Sequence, residues 1–192
     1  MYNKVMIIGV TGKFGSGKSH LANFLSDKTG YPIFHFDKYI IEKLMRPCIR
    51  QIVEKRIGCK LSLEHSHLLS NLQTLERTLT KFEKGMILGM GNRKIKKLMR
   101  SGSPVIIDFF GLPISKHFKN FKLKILIQSD DQTRVKKLAE RNGFTPEQVA
   151  HIDKIANDIV DYKDHEYDHI IINDYKSIPK AIQEITCELT NT

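Results

Sequence analysis

The stretch that decides the reading of this chain is "GVTGKFGSGKSHL", Gly9 to Leu21. Before it runs "KVMIIGV", a continuous apolar segment bounded by turn residues, which predicts a strand buried on both faces. After it, Leu21, Ala22, Phe24 and Leu25 fall at helical spacing until Gly30 and Pro32 stop the pattern. Between strand and helix, Gly12 to Ser19, "GKFGSGKS", fits G-x-x-x-x-G-K-[ST] without a mismatch. Glycines let such a loop curl so that its N–H groups point inward at phosphate oxygens, and the helix N-terminus adds partial positive charge. Lys18 would reach the β- and γ-phosphates, and the Ser19 hydroxyl would ligate Mg²⁺. The loop is expected to hold a nucleoside triphosphate.

Working outward, "YPIFHF" (Tyr31–Phe36), "PVIID" (Pro104–Asp108), "KLKILIQ" (Lys122–Gln128) and "HIIIN" (His169–Asn173) read as four further strands. Strands alternating with helices imply a parallel sheet with helices on both faces. The segment between the second and third strands is too long for one crossover helix and carries helical periodicity at Leu68, Leu69, Leu72, Leu75 and Leu79. A helical insertion is expected there, over about 38–102. A second excursion, about 129–165, opens on "SDDQ", a capping-box pattern with Ser129 as N-cap and Gln132 three residues on. "TPEQ" repeats the device at Thr145, with Pro146 suited to the first helical position. The remaining core spans about 1–37, 103–128 and 166–192 of a single domain.

The 192 residues, 41% hydrophobic and 27% charged, suit one globular domain and argue against disorder. No apolar run approaches the roughly 20 residues of a membrane helix, and "MYNKVMIIGV" has neither the length nor the flanks of a secretory signal. Cys48, Cys59 and Cys187 show no metal spacing, so reduced thiols and a cytoplasmic location are expected. A formal charge of +10 draws in polyanions. The basic run "NRKIKKLMR", Asn92–Arg100, is either a solvated helix face or a surface that meets phosphate. No nucleic-acid module is evident. Small anionic substrates are the expected partners, with no nucleic acid or membrane, and a monomer is favoured.

Asp108 ends the third strand at the sheet edge where a phosphate-loop protein places its Mg²⁺-facing acid. Asp37 follows the second strand at the same edge, where open α/β sheets bind ligands. It could accept a proton from an attacking hydroxyl, help hold the metal, or merely cap the helix "KYIIEKL". His35 reads either as a polar strand end satisfied by backbone or as a ligand for an acceptor phosphate. Arg134, Lys137 and Arg141 share one helix face. Such a stripe could neutralise a transferring phosphoryl group and exclude water, or be a solvated face.

These residues carry a resemblance to the dephospho-coenzyme A kinases. That family begins "IGLTGGIGSGKS"-like, where this chain has "IIGVTGKFGSGKS", and its lid ends "R-x-x-x-R-[DN]-G", where this chain has "KKLAERNG". The late strand is "DHIIIND". The resemblance implies a P-loop kinase-type three-layer sandwich, α/β, with a five-stranded parallel sheet, a helical acceptor-binding insertion and a lid. It implies ATP-dependent phosphorylation of the ribose 3′-hydroxyl of dephospho-CoA, with Lys18, Asp37 and Arg141 catalytic and Ser19, Asp37 and Asp108 serving Mg²⁺. ATP would be held by Gly12, Lys13, Phe14, Gly15, Ser16, Gly17, Lys18, Ser19 and His20, with Lys137, Arg141 and Asn173 beside them. The acceptor side departs from the family. Its Asp-Ala-Asp is "HFD" here, Ile41 stands near the place of an arginine, and "FFGLPISKHF" replaces "Pro-Leu-Leu-Phe-Glu". Another small acceptor, such as a nucleoside or its monophosphate, and nucleotide binding without transfer stay open.

Overall fold

The computed structural model describes residues 6–57, 81–174 and 177–190. The first apolar run is β1 (Ile7–Thr11), buried at every position. The glycine loop leads into α1 (Lys18–Thr29), whose end is closed by Gly30 donating its N–H to the Ser26 carbonyl. There follow β2 (Ile33–His35), α2 (Phe36–Leu44), α3 (Pro47–Ile57), α4 (Lys81–Arg100) and β3 (Val105–Asp108). The chain continues through β4 (Leu123–Gln128), α5 (Asp131–Asn142), α6 (Pro146–Ile159), β5 (His169–Ile172) and α7 (Ser177–Thr190).

The five strands pair in parallel in the order β2-β3-β1-β4-β5, so the strand that feeds the glycine loop lies at the centre. Successive side chains of a strand point to opposite faces, and the core divides accordingly. Ile8, Val10, Ile106, Ile125 and Ile127 pack with Leu21, Ala22 and Leu25 of α1 and Ile178, Ile182 and Ile185 of α7. Ile7, Val105 and Ile107 turn the other way, onto Phe36, Ile95, Leu112, Phe118 and Phe121. The expected three-layer, five-stranded parallel architecture is the one observed.

Local boundaries differ from the sequence expectations in two informative places. The second strand stops at His35, and Phe36 already opens α2 with its ring stacked on Phe109 at 3.9 Å. Asp37 therefore stands in the first turn of a helix. On α5 the N-cap is Asp130, not Ser129: its carboxylate accepts the Thr133 N–H at 2.8 Å. A charged cap also meets the positive end of the helix dipole, which a hydroxyl does less well. The second capping box is as expected, with Thr145, Gln148 and Pro146 in their places.

In α4 the basic run lies mostly on an exposed face, with Lys94 over the Phe34 ring. Ile95 is buried and Leu98 and Met99 pack on the core, while Arg93, Lys96, Lys97 and Arg100 are exposed. The leucines from Leu68 to Leu79 and Cys59 lie outside the described residues. Cys48 and Cys187 are both exposed at the surface. Among the described residues no helix is long and apolar enough to cross a membrane.

The contact between α4 and α2 is tight at one glycine. A Cβ on Gly91 would fall on the Phe36 ring, which its stack on Phe109 holds in place, whereas a Cβ on Gly89 would meet nothing among the described residues within 4 Å. Gly91→Ala should therefore cost about 1–3 kcal/mol by overpacking. Gly89→Ala in the same helix should gain about 0.5–1 kcal/mol from helix propensity. Urea unfolding of the two variants reads the contrast directly.

Candidate active site

Pairing register builds the site. Val10 of β1 is the partner of Asp108 in β3, and Asp108 is the partner of His35 in β2. The carboxyl ends of three adjacent strands thus finish in a row, at the edge where open α/β sheets receive ligands. The glycine loop leaves from the middle of that row. It bends at Gly12, where φ is 146° and a Cβ would fall on the Ile127 carbonyl. Gly17 caps α1 in the left-handed region without any side-chain cap, so the first N–H groups of the helix face the loop's concavity.

Lys18 is 7% exposed and donates from Nζ to the Lys13 carbonyl at 2.9 Å. Burial lowers its pKa, against the opposing pull of Asp37 and Asp108. Ser19 donates from Oγ to Asp108 Oδ2 at 2.6 Å, and His35 Nδ1 lies 3.1 Å from that same oxygen. The Asp108 side chain is almost fully buried. Its other oxygen, Oδ1, is buried without a hydrogen-bond partner among the described residues. Asp37 is exposed in the first turn of α2, near enough to Lys18, Asp108 and His35 to feel their charges. Desolvation raises its pKa to about 6, with Asp108 adding to the rise and Lys18 and His35 opposing it. A carboxyl poised there can take up a proton near neutral pH.

The loop is also tied to the expected lid. Phe14 packs with Leu138, Phe144 and Val149 of the α5–α6 unit, its ring centroid 6.2 Å from that of Phe144. A Cβ on Gly15 would stand 2.8 Å from a Leu138 methyl, and Lys13 Nζ lies 3.4 Å from Asp131. Arg134, 1% exposed, donates to the Phe14 carbonyl at 3.0 Å and also engages Asp131 and Asp153. The stripe read as Arg134, Lys137 and Arg141 is thereby divided. Arg134 is a strut between loop, α5 and α6, turned inward rather than toward a phosphoryl group. Lys137 is half-buried on α5, and Arg141 occupies the last turn of that helix before Gly143.

Asn173 follows β5, and its Nδ2 donates to the Ser16 carbonyl at 2.8 Å, so it clamps the loop from behind. Its Oδ1 and the Ser16 hydroxyl are buried without protein partners among the described residues. His20, exposed on the first turn of α1, meets the Phe24 ring edge-on at 4.8 Å. Two residues escaped the sequence reading. Thr11 Oγ1 and the Tyr162 hydroxyl both donate to the Phe110 carbonyl, at 2.8 and 3.0 Å, and fix the chain leaving β3. Burial keeps the Tyr162 phenol protonated by raising its pKa. His35, read as a polar strand end or a ligand for an acceptor phosphate, does end β2, and its ring partner is the Asp108 carboxylate.

Whether this donor set suits Mg²⁺ can be tested on its chemistry. Among the described residues no group of three His, Cys, Asp or Glu side chains could hold a metal ion. Mg²⁺ in phosphate-transfer sites keeps waters and phosphate oxygens and needs only one or two protein oxygens. The Ser19 hydroxyl, whose proton is committed to Asp108, and the orphaned Asp108 Oδ1 meet that need.

Fold and loop together define a P-loop kinase fold. In sequence, the chain is similar to a dephospho-CoA kinase of a Nostoc species, 27% identical over 151 residues, covering 74% of this chain and 76% of that protein. No protein-family model matches. Among solved structures, TT1252 from Thermus thermophilus matches with a TM-score of 0.68 at 16% identity, covering 97% of this chain and 99% of that one. A gluconokinase from Sinorhizobium meliloti matches at 0.57 and 16% identity, over 99% and 98% of the two chains. A shikimate kinase from Bacteroides thetaiotaomicron matches at 0.56 and 16% identity, over 97% and 99%.

The strut gives a stability prediction. Arg134→Met strands Asp153 and should cost about 2–3 kcal/mol, less than a fully buried pair because Asp153 keeps some solvent. Arg134→Met with Asp153→Leu should recover most of that loss. Chemical denaturation of both variants checks it.

Proposed function

We propose that the chain is an ATP-dependent phosphotransferase that phosphorylates the ribose 3′-hydroxyl of dephospho-CoA, giving CoA and ADP. The observation that carries the reading is the convergence of Lys18, the Ser19–Asp108 pair and Asp37 at the end of one row of strands. The likeness to a dephospho-CoA kinase supports the acceptor. In this reading the loop N–H groups and Lys18 hold the triphosphate and neutralise charge that develops on the γ-phosphoryl group. Asp37 accepts the proton of the attacking hydroxyl. The hydroxyl oxygen forms a bond to the γ-phosphorus as the bond to the β–γ bridging oxygen breaks, and ADP leaves. Ser19 and Asp108 would hold Mg²⁺, which when bound would supply neutralisation of phosphate charge. The α5–α6 unit excludes water, and Arg141 adds positive charge at the transferring group.

A second reading, a kinase for another small acceptor, is favoured by one specific observation: His35, hydrogen-bonded to Asp108, stands where the similar family has an acid. One assay separates the two. ADP release from Mg·ATP should be stimulated by dephospho-CoA, with CoA as product, and not by nucleosides or nucleoside monophosphates. Lys18→Ala should reduce turnover by at least about 100-fold. Stimulation by a nucleoside alone would transfer the assignment to the second reading.

The role of Asp37 has its own signature. A base must be ionised, so kcat/KM should fall as pH drops through about 6. Asp37→Asn should lower kcat by about 10²–10⁴-fold and abolish that acid limb. An unchanged limb in the variant would assign the titration to another group.

A further inference from the structure

Asp108 distributes its hydrogen bonds unevenly. Two donors, Ser19 Oγ and His35 Nδ1, converge on Oδ2 at 2.6 and 3.1 Å. Nothing among the described residues bonds Oδ1, although it is buried. A carboxylate held by Ser19 alone could rotate about the bond to Cβ and offer either oxygen to its hydroxyl. A second donor on a different element, fixed by strand register opposite Asp108, removes that freedom. His35 is itself held in place: it is the N-cap residue of α2, between the edge strand and the helix that carries Asp37.

We propose that His35 is a positioning residue for the metal. By occupying Asp108 Oδ2 together with Ser19, it keeps Oδ1 uncommitted and aimed at the metal that Ser19 and Asp108 would hold. It requires the Nδ1–H tautomer, with Nδ1 as donor. An imidazole in this place brings a donor where an acid would bring a third carboxylate beside Asp37 and Asp108. The inference rests on the phosphotransferase reading for its metal but not for its acceptor.

The reason to expect a measurable effect is general: groups that orient a metal-binding side chain typically change metal affinity 10–100-fold when removed. The test is Mn²⁺ binding to the protein–ADP complex, followed by electron paramagnetic resonance, with calorimetric ADP binding in chelator as the companion measurement. His35→Ala should weaken Mn²⁺ affinity by about 10–100-fold while ADP binding without metal stays within about twofold. His35→Asn, whose Nδ2 can stand near the place of Nδ1, should restore Mn²⁺ affinity to within a few-fold of the parent. The Mg²⁺ concentration that half-saturates ATP turnover should shift in parallel.

Equal Mn²⁺ affinity in His35→Ala and the parent overturns the inference, as does a His35→Asn variant no better than His35→Ala. Loss of metal-free ADP binding in His35→Ala also overturns it, because the residue would then be supporting the fold of the site. Failure of dephospho-CoA to stimulate turnover would sink the acceptor assignment alone, since the Mn²⁺ measurement needs no acceptor. A parent protein that binds no Mn²⁺ with ADP overturns both readings.

Discussion

The site depends on strand register before it depends on any functional group. Three strands end level because Val10, Asp108 and His35 are register partners, and a shift of one residue would send Asp108 to the opposite face of the sheet. Register in turn is held by which side chains each face can bury. Ile106 belongs with α1 and α7, and its neighbours Val105 and Ile107 belong with the aromatic layer beneath. Slipping β3 would put both sets in the wrong layer. The apolar cores therefore set the distance from Asp108 to Ser19 and His35, and no residue of the site could hold it without them.

On this frame the charged groups act on one another more than on solvent. Lys18 is buried between two carboxyls that oppose the loss of its proton, and Asp37 is made a weaker acid by the crowding that Lys18 only partly offsets. Neighbouring titratable groups that shift one another in this way are the mark of a functional site.

Much of this was legible in the chain, and the physical reason is locality. The phosphate loop is a contiguous pattern between a buried strand and a helix, the strands are continuous apolar runs, and the Thr145 capping box closes over three residues. What stayed hidden was contact between segments far apart in sequence. His35 and Asp108 are 73 residues apart, and Arg134 lies 120 from Phe14. Helical spacing showed that Arg134, Lys137 and Arg141 share a side of α5, but not that Arg134 is drawn inward by Asp153 on the next helix. The capping-box pattern pointed to Ser129, whereas the backbone enters α5 one residue later and makes Asp130 the cap.

The anchoring of the loop tip has a consequence for how this chain can change over evolutionary time. Lys13, Phe14 and Gly15 fill three of the four positions that the phosphate-loop pattern leaves unspecified, and each of them meets the α5–α6 unit at Asp131, Phe144 or Leu138. Those three letters are not free choices here. Their substitution histories should run in step with positions 131, 134, 138 and 144, so that a lineage altering one side of the seam alters the other within the same branch.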